Sequence, residues 1–237
     1  MAIRRLERHS EHIIYKLEDG TPVVGASTIS GINKPVGPLM GWAWKLGKLG
    51  KDYRKETQAA ADYGNIAHFM IDCHLTGDEP DLSEFTAAEI KIAQLAYDKF
   101  LDYWSQNDYE MVANELPLVS EKYRYGGTLD LVCRDKKTGS FFLNDWKTSK
   151  AIYESHIMQA VGYKYLWDEQ YESRFAGKEI NIGPIDRVAI VRVGRKPNEK
   201  FEIYWVPPAM IGKYWDAFIA RLAVYNADKQ LHYITKK

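Results

Sequence analysis

Cysteine is scarce: Cys73 and Cys133 are the two in 237 residues. Two thiols cannot supply the four ligands of an iron–sulfur cluster or of an all-cysteine zinc site, which excludes both cofactors. The pair reads as buried free thiols of a reducing compartment rather than as a disulfide framework. Net charge is also missing, with 32 Lys plus Arg against 32 Asp plus Glu. That balance argues against a protein that coats nucleic acid through overall basicity, and it confines any polyanion site to a local patch. No apolar run approaches the length of a membrane span, and the opening "MAIRRLERHSEHIIYKLEDG" lacks a signal-type apolar core. No membrane partner is expected, and the chain reads as soluble and intracellular. What remains is an ordinary globular balance, 46% hydrophobic and 27% charged, long enough for one elaborated domain.

A weak alternation over residues 12–24, broken by "DGTP", predicts an N-terminal hairpin. "STISGINKPVGP" reads as a loop, and 39–75 as helical with interruptions near Gly47, Gly50 and Gly64. Ile90, Ala93, Tyr97 and Phe100 recur at helical spacing, with Ser83 or Thr86 as the cap. Strands are expected at 111–119, 121–134 and 140–147, then a helix over 154–170. "DRVAIVRVGRKPNEKFEIYWVP" predicts a hairpin turning at "KPNE", and a last helix covers about 208–226. This order predicts an α/β fold with a central mixed β-sheet flanked by helices, in a single domain over 1–237.

Within "SFFLNDWKTSK", Asp145 and Lys147 stand at alternate positions of a strand entering a core, where charge is expensive to bury. Residues 136–139 make a four-residue hairpin loop, and pairing outward from it sets Asp130 opposite Asp145. Side chains alternate along a strand and paired residues share a face, so Asp130, Asp145 and Lys147 converge beside Val132 and Leu143. Two carboxylates at that distance repel unless a cation intervenes or one stays protonated. Hard oxygen ligands suit Mg²⁺ or Mn²⁺, and a neighbouring lysine can polarise water or neutralise charge on a phosphoryl group. The alternative is a surface hairpin whose Asp and Lys face water.

"GGTLDLV", the hairpin, "FFLNDWKTS" and "MQAVGYKYLW" together resemble the PD-(D/E)XK nuclease superfamily, and more narrowly its RecB-like exonuclease branch, which includes stand-alone phage and mitochondrial single-strand exonucleases. The resemblance implies a restriction-endonuclease-like core over about 60–205, behind a DNA-contacting elaboration at about 1–60. It matches Asp130 and the Asp145–Lys147 pair to the catalytic metal-binding motif, and Gln159 and Tyr163 to residues that orient the site. His68, in "GNIAH", matches an upstream metal-ligand histidine, Gly64 falling where that pattern has glycine. Asp72, one turn on, is expected to hold the His68 ring by a hydrogen bond. Glu115, on the preceding strand, is a candidate for a second metal ion, a bound water or DNA through a water, or equally an exposed strand carboxylate. His74 lies on another helix face and is incidental.

Trp42, Trp44, Lys45 and Lys48, followed by Lys51, Arg54 and Lys55, combine stacking faces with cations that track phosphates. An amphipathic helix with a buried Trp and a solvated lysine face is the competing reading. In the resembled family the region matched by Ser27 and Thr28 lies near the substrate path; Arg192, Arg195 and Lys196 offer a further phosphate contact or, equally, a solvated turn. The expectation is an exonuclease acting on single-stranded or frayed DNA with one or two Mg²⁺ or Mn²⁺ ions and no iron–sulfur cluster. Its setting would be recombination, repair or phage DNA metabolism in the cytoplasm of a bacterial or phage-infected cell, with a recombination or single-strand-binding protein as partner. An endonuclease of the same superfamily, a DNA-binding module that has lost turnover, and RNA as substrate are the rivals. A P-loop is absent, and with it a fused helicase motor.

Overall fold

The sheet's two faces are encoded in its middle strands as alternating apolar side chains. The computed structural model describes residues 2–8, 13–177, 182–194, 196 and 198–235. In chain order its elements are β1 (Ile3–Arg5), β2 (Val24–Gly25), α1 (Ala26–Gly31), α2 (Gly37–Lys48), α3 (Tyr53–Thr76), β3 (Glu79–Asp81) and α4 (Ala87–Ser105). Then come β4 (Tyr109–Ser120), β5 (Tyr125–Asp135), β6 (Phe141–Lys147), α5 (Glu154–Arg174), β7 (Arg187–Arg192), β8 (Glu202–Trp205) and α6 (Pro208–Thr235).

Val132, Leu143, Val188 and Ile190 belong to one core, and Leu131, Cys133, Phe142, Ala189 and Val191 to the other. Successive strand side chains face opposite ways, so strands covered on both faces read as apolar throughout. α1, α5 and α6 supply Ile29, Met158, Leu166, Trp167 and Phe218 to the first core. α3 and α4 supply Ile66, Ile71, Ala93 and Phe100 to the second. β6 pairs β7 in parallel and β5 and β8 complete antiparallel pairs, so the sheet is mixed and flanked by helices. The α/β class expected from the sequence is the one observed. β1 and β3 form a separate parallel pair that ties the N-terminal strand to the end of α3.

One local feature positions the site. β4 runs antiparallel along one edge of β5 for its whole length. The other edge is shared, by β2 at Tyr125 and Gly126 and by β6 from Leu131 to Arg134. The stretch between, which holds Asp130, has no strand partner on that side. There the Trp146 backbone N–H donates to Asp130 Oδ2 at 2.8 Å, so a carboxylate replaces a strand carbonyl where β6 leaves β5.

Several boundaries differ from the sequence reading. "ASTISG" is helix α1 rather than loop, because Ala26, Ile29 and Ser30 are buried, and packing overrides poor propensity. Of the interruptions expected in the 39–75 run, the one near Gly50, at φ +68°, separates α2 from α3, while Gly47 and Gly64 lie inside those helices. Thr86, not Ser83, caps α4, in a reciprocal pair with Glu89. Residues 121–124 are a turn with Arg124 at φ +59°, and β5 begins at Tyr125. α5 and α6 run on to Arg174 and Thr235. The N-terminal hairpin is present but short: Lys16 bridges Pro22 antiparallel, with Leu17 N–H donating to Thr21 O and Val23 N–H to Tyr15 O, each at 2.9 Å. β7 and β8 pair antiparallel as expected, while Arg195 and Pro197 of their connection lie outside the described residues. Cys73 and Cys133 are buried and free. Among the described residues no helix is long and apolar enough to cross a membrane.

Candidate metal centre

The β5–β6 ladder pairs Leu131 with Asn144 and Val132 with Leu143, the register expected from the 136–139 loop. Continued by one residue, it sets Asp130 across from Asp145. Asp145 is fully buried, and Lys147 Nζ stands 2.7 Å from its Oδ2. Apart from that ion-pair contact, neither Asp145 oxygen has a hydrogen-bond partner.

α3 brings His68 to the same end of the ladder. Its Nδ1 is 3.9 Å from Asp130 Oδ2 and 3.9 Å from Glu115 Oε1. Ligand atoms of His68, Glu115 and Asp130 all lie within 4.8 Å of one another. Asp145 stands outside that group, turned to Lys147. α3 passes close to the end of β6 at Gly64, where a Cβ would meet Thr148 Oγ1 at 3.2 Å and press that hydroxyl back by a few tenths of an ångström. Glu115 sits in β4 between Asn114, paired with Leu131, and Leu116, paired with Leu129, yet its φ is +44°. A non-glycine residue with left-handed backbone inside a strand is a strained exception.

Electrostatics follow from this crowding. Burial raises the Asp130 pKa and Glu115 adds to it, against the pull of His68 and Lys147. Burial lifts Asp145 to about 7, opposed by Lys147 and reinforced by Asp130. For His68, burial works to lower the pKa, but Asp130 and Glu115 outweigh it and raise it. Burial likewise opposes the Lys147 ammonium, and Asp145 and Asp130 prevail, so its pKa is raised. Two carboxylates and an imidazole within ligand range could hold a divalent cation, with Asp145 as a further oxygen donor close by.

Gln159 and Tyr163 share a face of α5, and Gln159 Nε2 donates to Tyr163 Oη at 2.6 Å. Burial, then Asp145 and Asp130, push the Tyr163 phenol well above its ordinary pKa, so it stays protonated. Gly127 makes room for it: a Cβ there would fall 2.5 Å from the Tyr163 ring. That glycine lies in the quoted "GGTLDLV" without having been singled out.

Asp72 does not touch His68. Its Oδ1 accepts from Asn114 Nδ2 at 2.5 Å and its Oδ2 from Arg4 at 2.6 Å, so the expected histidine contact is replaced by a link to β1 and β4. His74 Nδ1 pairs with Tyr97 Oη at 3.1 Å, away from the cluster. Arg192 is buried and bonded to Glu202 at 2.9 Å, which removes it from the phosphate contacts. Lys196 is exposed and Arg195 lies outside the described residues.

No residue of α2 is buried, so neither Trp42 nor Trp44 is a core tryptophan. Trp44 is 61% exposed, and Lys48 Nζ stands 3.7 Å over its ring. Lys45 is exposed, as are Ser27 and Thr28 on α1. From Gly20 to Lys51 the chain has no acidic residue and includes Lys34, Lys45, Lys48 and Lys51, a local positive excess in a neutral protein. His156 also escaped the sequence reading. Burial, Lys147 and Lys34 push its pKa down to about 4.

No protein-family model matches the chain, and no curated protein matches it. Among solved structures, the crystal structure of SSO0001 aligns at a TM-score of 0.30 and 15% identity, over 57% of this chain and 61% of that one. The chain thus spans about three fifths of that neighbour's length, and so slight a likeness carries no argument here.

Proposed function

We propose that the protein is a metal-dependent deoxyribonuclease built on a PD-(D/E)XK core, an exonuclease acting on single-stranded or frayed DNA ends. The observation that carries this reading is the meeting of His68, Glu115 and Asp130 beside the buried Asp145–Lys147 pair, where β5 and β6 part. Asp130, His68 and Glu115 would hold Mg²⁺ or Mn²⁺, with Asp145 adjoining. Bound there, the ion would supply Lewis-acid stabilisation of a phosphoryl oxygen and a more acidic water.

The chain's own groups define the rest. Lys147 keeps its proton at neutral pH, its pKa being raised by Asp145 and Asp130 over the cost of burial. It therefore acts as a cation that orients water and offsets charge developing on the phosphate, rather than as a base. Tyr163, neutral and held by Gln159, is a donor fixed against Gly127. Trp44 and the lysines of α2 offer a stacking face and phosphate contacts outside the core, the combination that suits unpaired strands.

Linear single-stranded DNA, labelled at one end or the other, incubated with Mg²⁺ or Mn²⁺ or with chelator, tests the reading. Metal-dependent shortening by wild type, lost in Lys147→Ala, is expected, and the label order gives the direction. Opening of circular single-stranded DNA would instead show an endonuclease. Binding without cleavage in any metal would replace the enzyme with a DNA-binding module.

A further inference from the structure

The left-handed backbone of Glu115 needs a cause. For a residue with a Cβ, that conformation costs about 1–2 kcal/mol, and the strand pairs on either side would by themselves draw it back to an extended form. A β-bulge between Met111 and Ala113 already shifts the register just upstream. What grips the chain at the strained point is the preceding side chain. Asn114 Nδ2 donates to Asp72 Oδ1 at 2.5 Å, crossing from β4 to α3. Asp72 lies one turn beyond His68 on that helix, so one helical face carries both a ligand for the cluster and the anchor for Asn114.

Asp72 is itself immobilised. It is 6% exposed, and its other oxygen takes the Arg4 guanidinium at 2.6 Å. The two oxygens are therefore divided between two donors, which fixes the carboxylate's rotation. Arg4 belongs to β1, whose pairing with β3 seats it: Arg4 lies opposite Pro80, and Leu6 N–H donates to Asp81 O at 3.1 Å. A chain of contacts thus runs from the N-terminal strand through α3 to the residue before Glu115.

We propose that Arg4, Asp72 and Asn114 are positioning residues that set the Glu115 carboxylate against His68, so that the N-terminal strand tunes metal affinity at a centre it never touches. This rests on the reading of His68, Glu115 and Asp130 as metal ligands. Groups that orient metal ligands alter affinity by about 10–100-fold when removed, and Asn114→Ala is expected to weaken Mn²⁺ binding within that range.

Mn²⁺ binding to the full chain without DNA, by titration calorimetry or by the paramagnetic resonance of free Mn²⁺, is measured for wild type, Asn114→Ala, Glu115→Gln and the double variant. If Asn114 acts through Glu115, Asn114→Ala weakens binding in the wild-type background and changes nothing further in Glu115→Gln. A merely structural role would lower affinity equally in both backgrounds, which overturns the proposal, as does an Asn114→Ala protein that binds like wild type. Should Asn114→Ala fail to fold, Arg4→Ala, altered at a side chain 38% exposed, takes its place in the same cycle and is held to the same outcomes. Absence of Mn²⁺ binding by folded wild type would overturn the metal centre itself, a distinct result from a wild type that binds and a cycle that shows no coupling.

Discussion

Replacing Asp145 by Asn should make the metal-free protein less sensitive to rising pH. In the native state burial raises the Asp145 pKa from 3.8 to about 7, against the attraction of Lys147. The folded protein therefore retains a proton that the unfolded chain has released. This contribution to stability is full below the unfolded pKa and is lost as pH rises through about 7. Between pH 5 and pH 8 the loss from this group comes to about 3 kcal/mol. Asp130 and His68, whose pKa values are also raised, act in the same direction and steepen the fall. With a urea dependence of about 3 kcal/mol per molar, 3 kcal/mol is about 1 M in midpoint. Urea unfolding followed by circular dichroism, in chelator at several pH values, should show Asp145→Asn gaining about that much on wild type between pH 5 and pH 8. Wild-type and variant curves that stay parallel would refute the assignment of the burden to Asp145. Mn²⁺ added at pH 8 should restore stability to wild type more than to the variant, since binding to the native state stabilises by mass action.

Glu115→Gly should unfold at a higher temperature than Glu115→Gln, by about 2–4 °C for about 1 kcal/mol of relieved backbone strain, in thermal scans without metal; a glycine variant no more stable than the glutamine one would contradict the strain. Gly127→Ala should lose about 1–3 kcal/mol in urea unfolding, because its new methyl group would stand 2.5 Å from the Tyr163 ring. Trp44→Ala should leave the melting temperature unchanged, since the ring is 61% exposed, and weaken single-stranded DNA binding by about 1–3 kcal/mol in fluorescence anisotropy with chelator present.

The parts of the fold legible in the sequence were those fixed by local periodicity. The 136–139 loop, closed by Gly139 at φ +76°, set the register of β5 against β6 and with it the juxtaposition of Asp130 and Asp145. Capping chemistry narrowed the start of α4 to Ser83 or Thr86, and the reciprocal pair with Glu89 in the structure decides for Thr86. What stayed hidden depends on tertiary partners. α1 forms from glycine- and serine-rich residues because Ala26 and Ile29 find a core. Asp72 stands at the right helical spacing to reach His68, but Arg4 and Asn114, 68 and 42 residues away in sequence, claim both of its oxygens. Arg192 shares its hairpin with Arg195 and Lys196 in sequence, but its partner Glu202 comes from across the β7–β8 ladder, which spacing alone does not reveal. The left-handed turn at Glu115 had no glycine to announce it.

Stability alone is a poor reason for the cluster. Asp145 lies where alternation along β6 calls for an apolar side chain like Leu143, and apart from the Lys147 ion pair its buried oxygens have no hydrogen-bond partner. Asp130 and Glu115 repel each other, and Glu115 adds backbone strain. Buried charge without full hydrogen bonding, like-charge crowding and a strained backbone at Glu115 each work against folding, and they fall together beside the gap in the β5 edge. Local rules broken together where His68, Glu115, Asp130 and Asp145 meet are what a site arranged around a ligand would show. A divalent cation held there would bear on all three: it would lie close to the Asp145 oxygens, screen the carboxylates from each other, and give the Glu115 carboxylate a contact to set against the strain of its backbone.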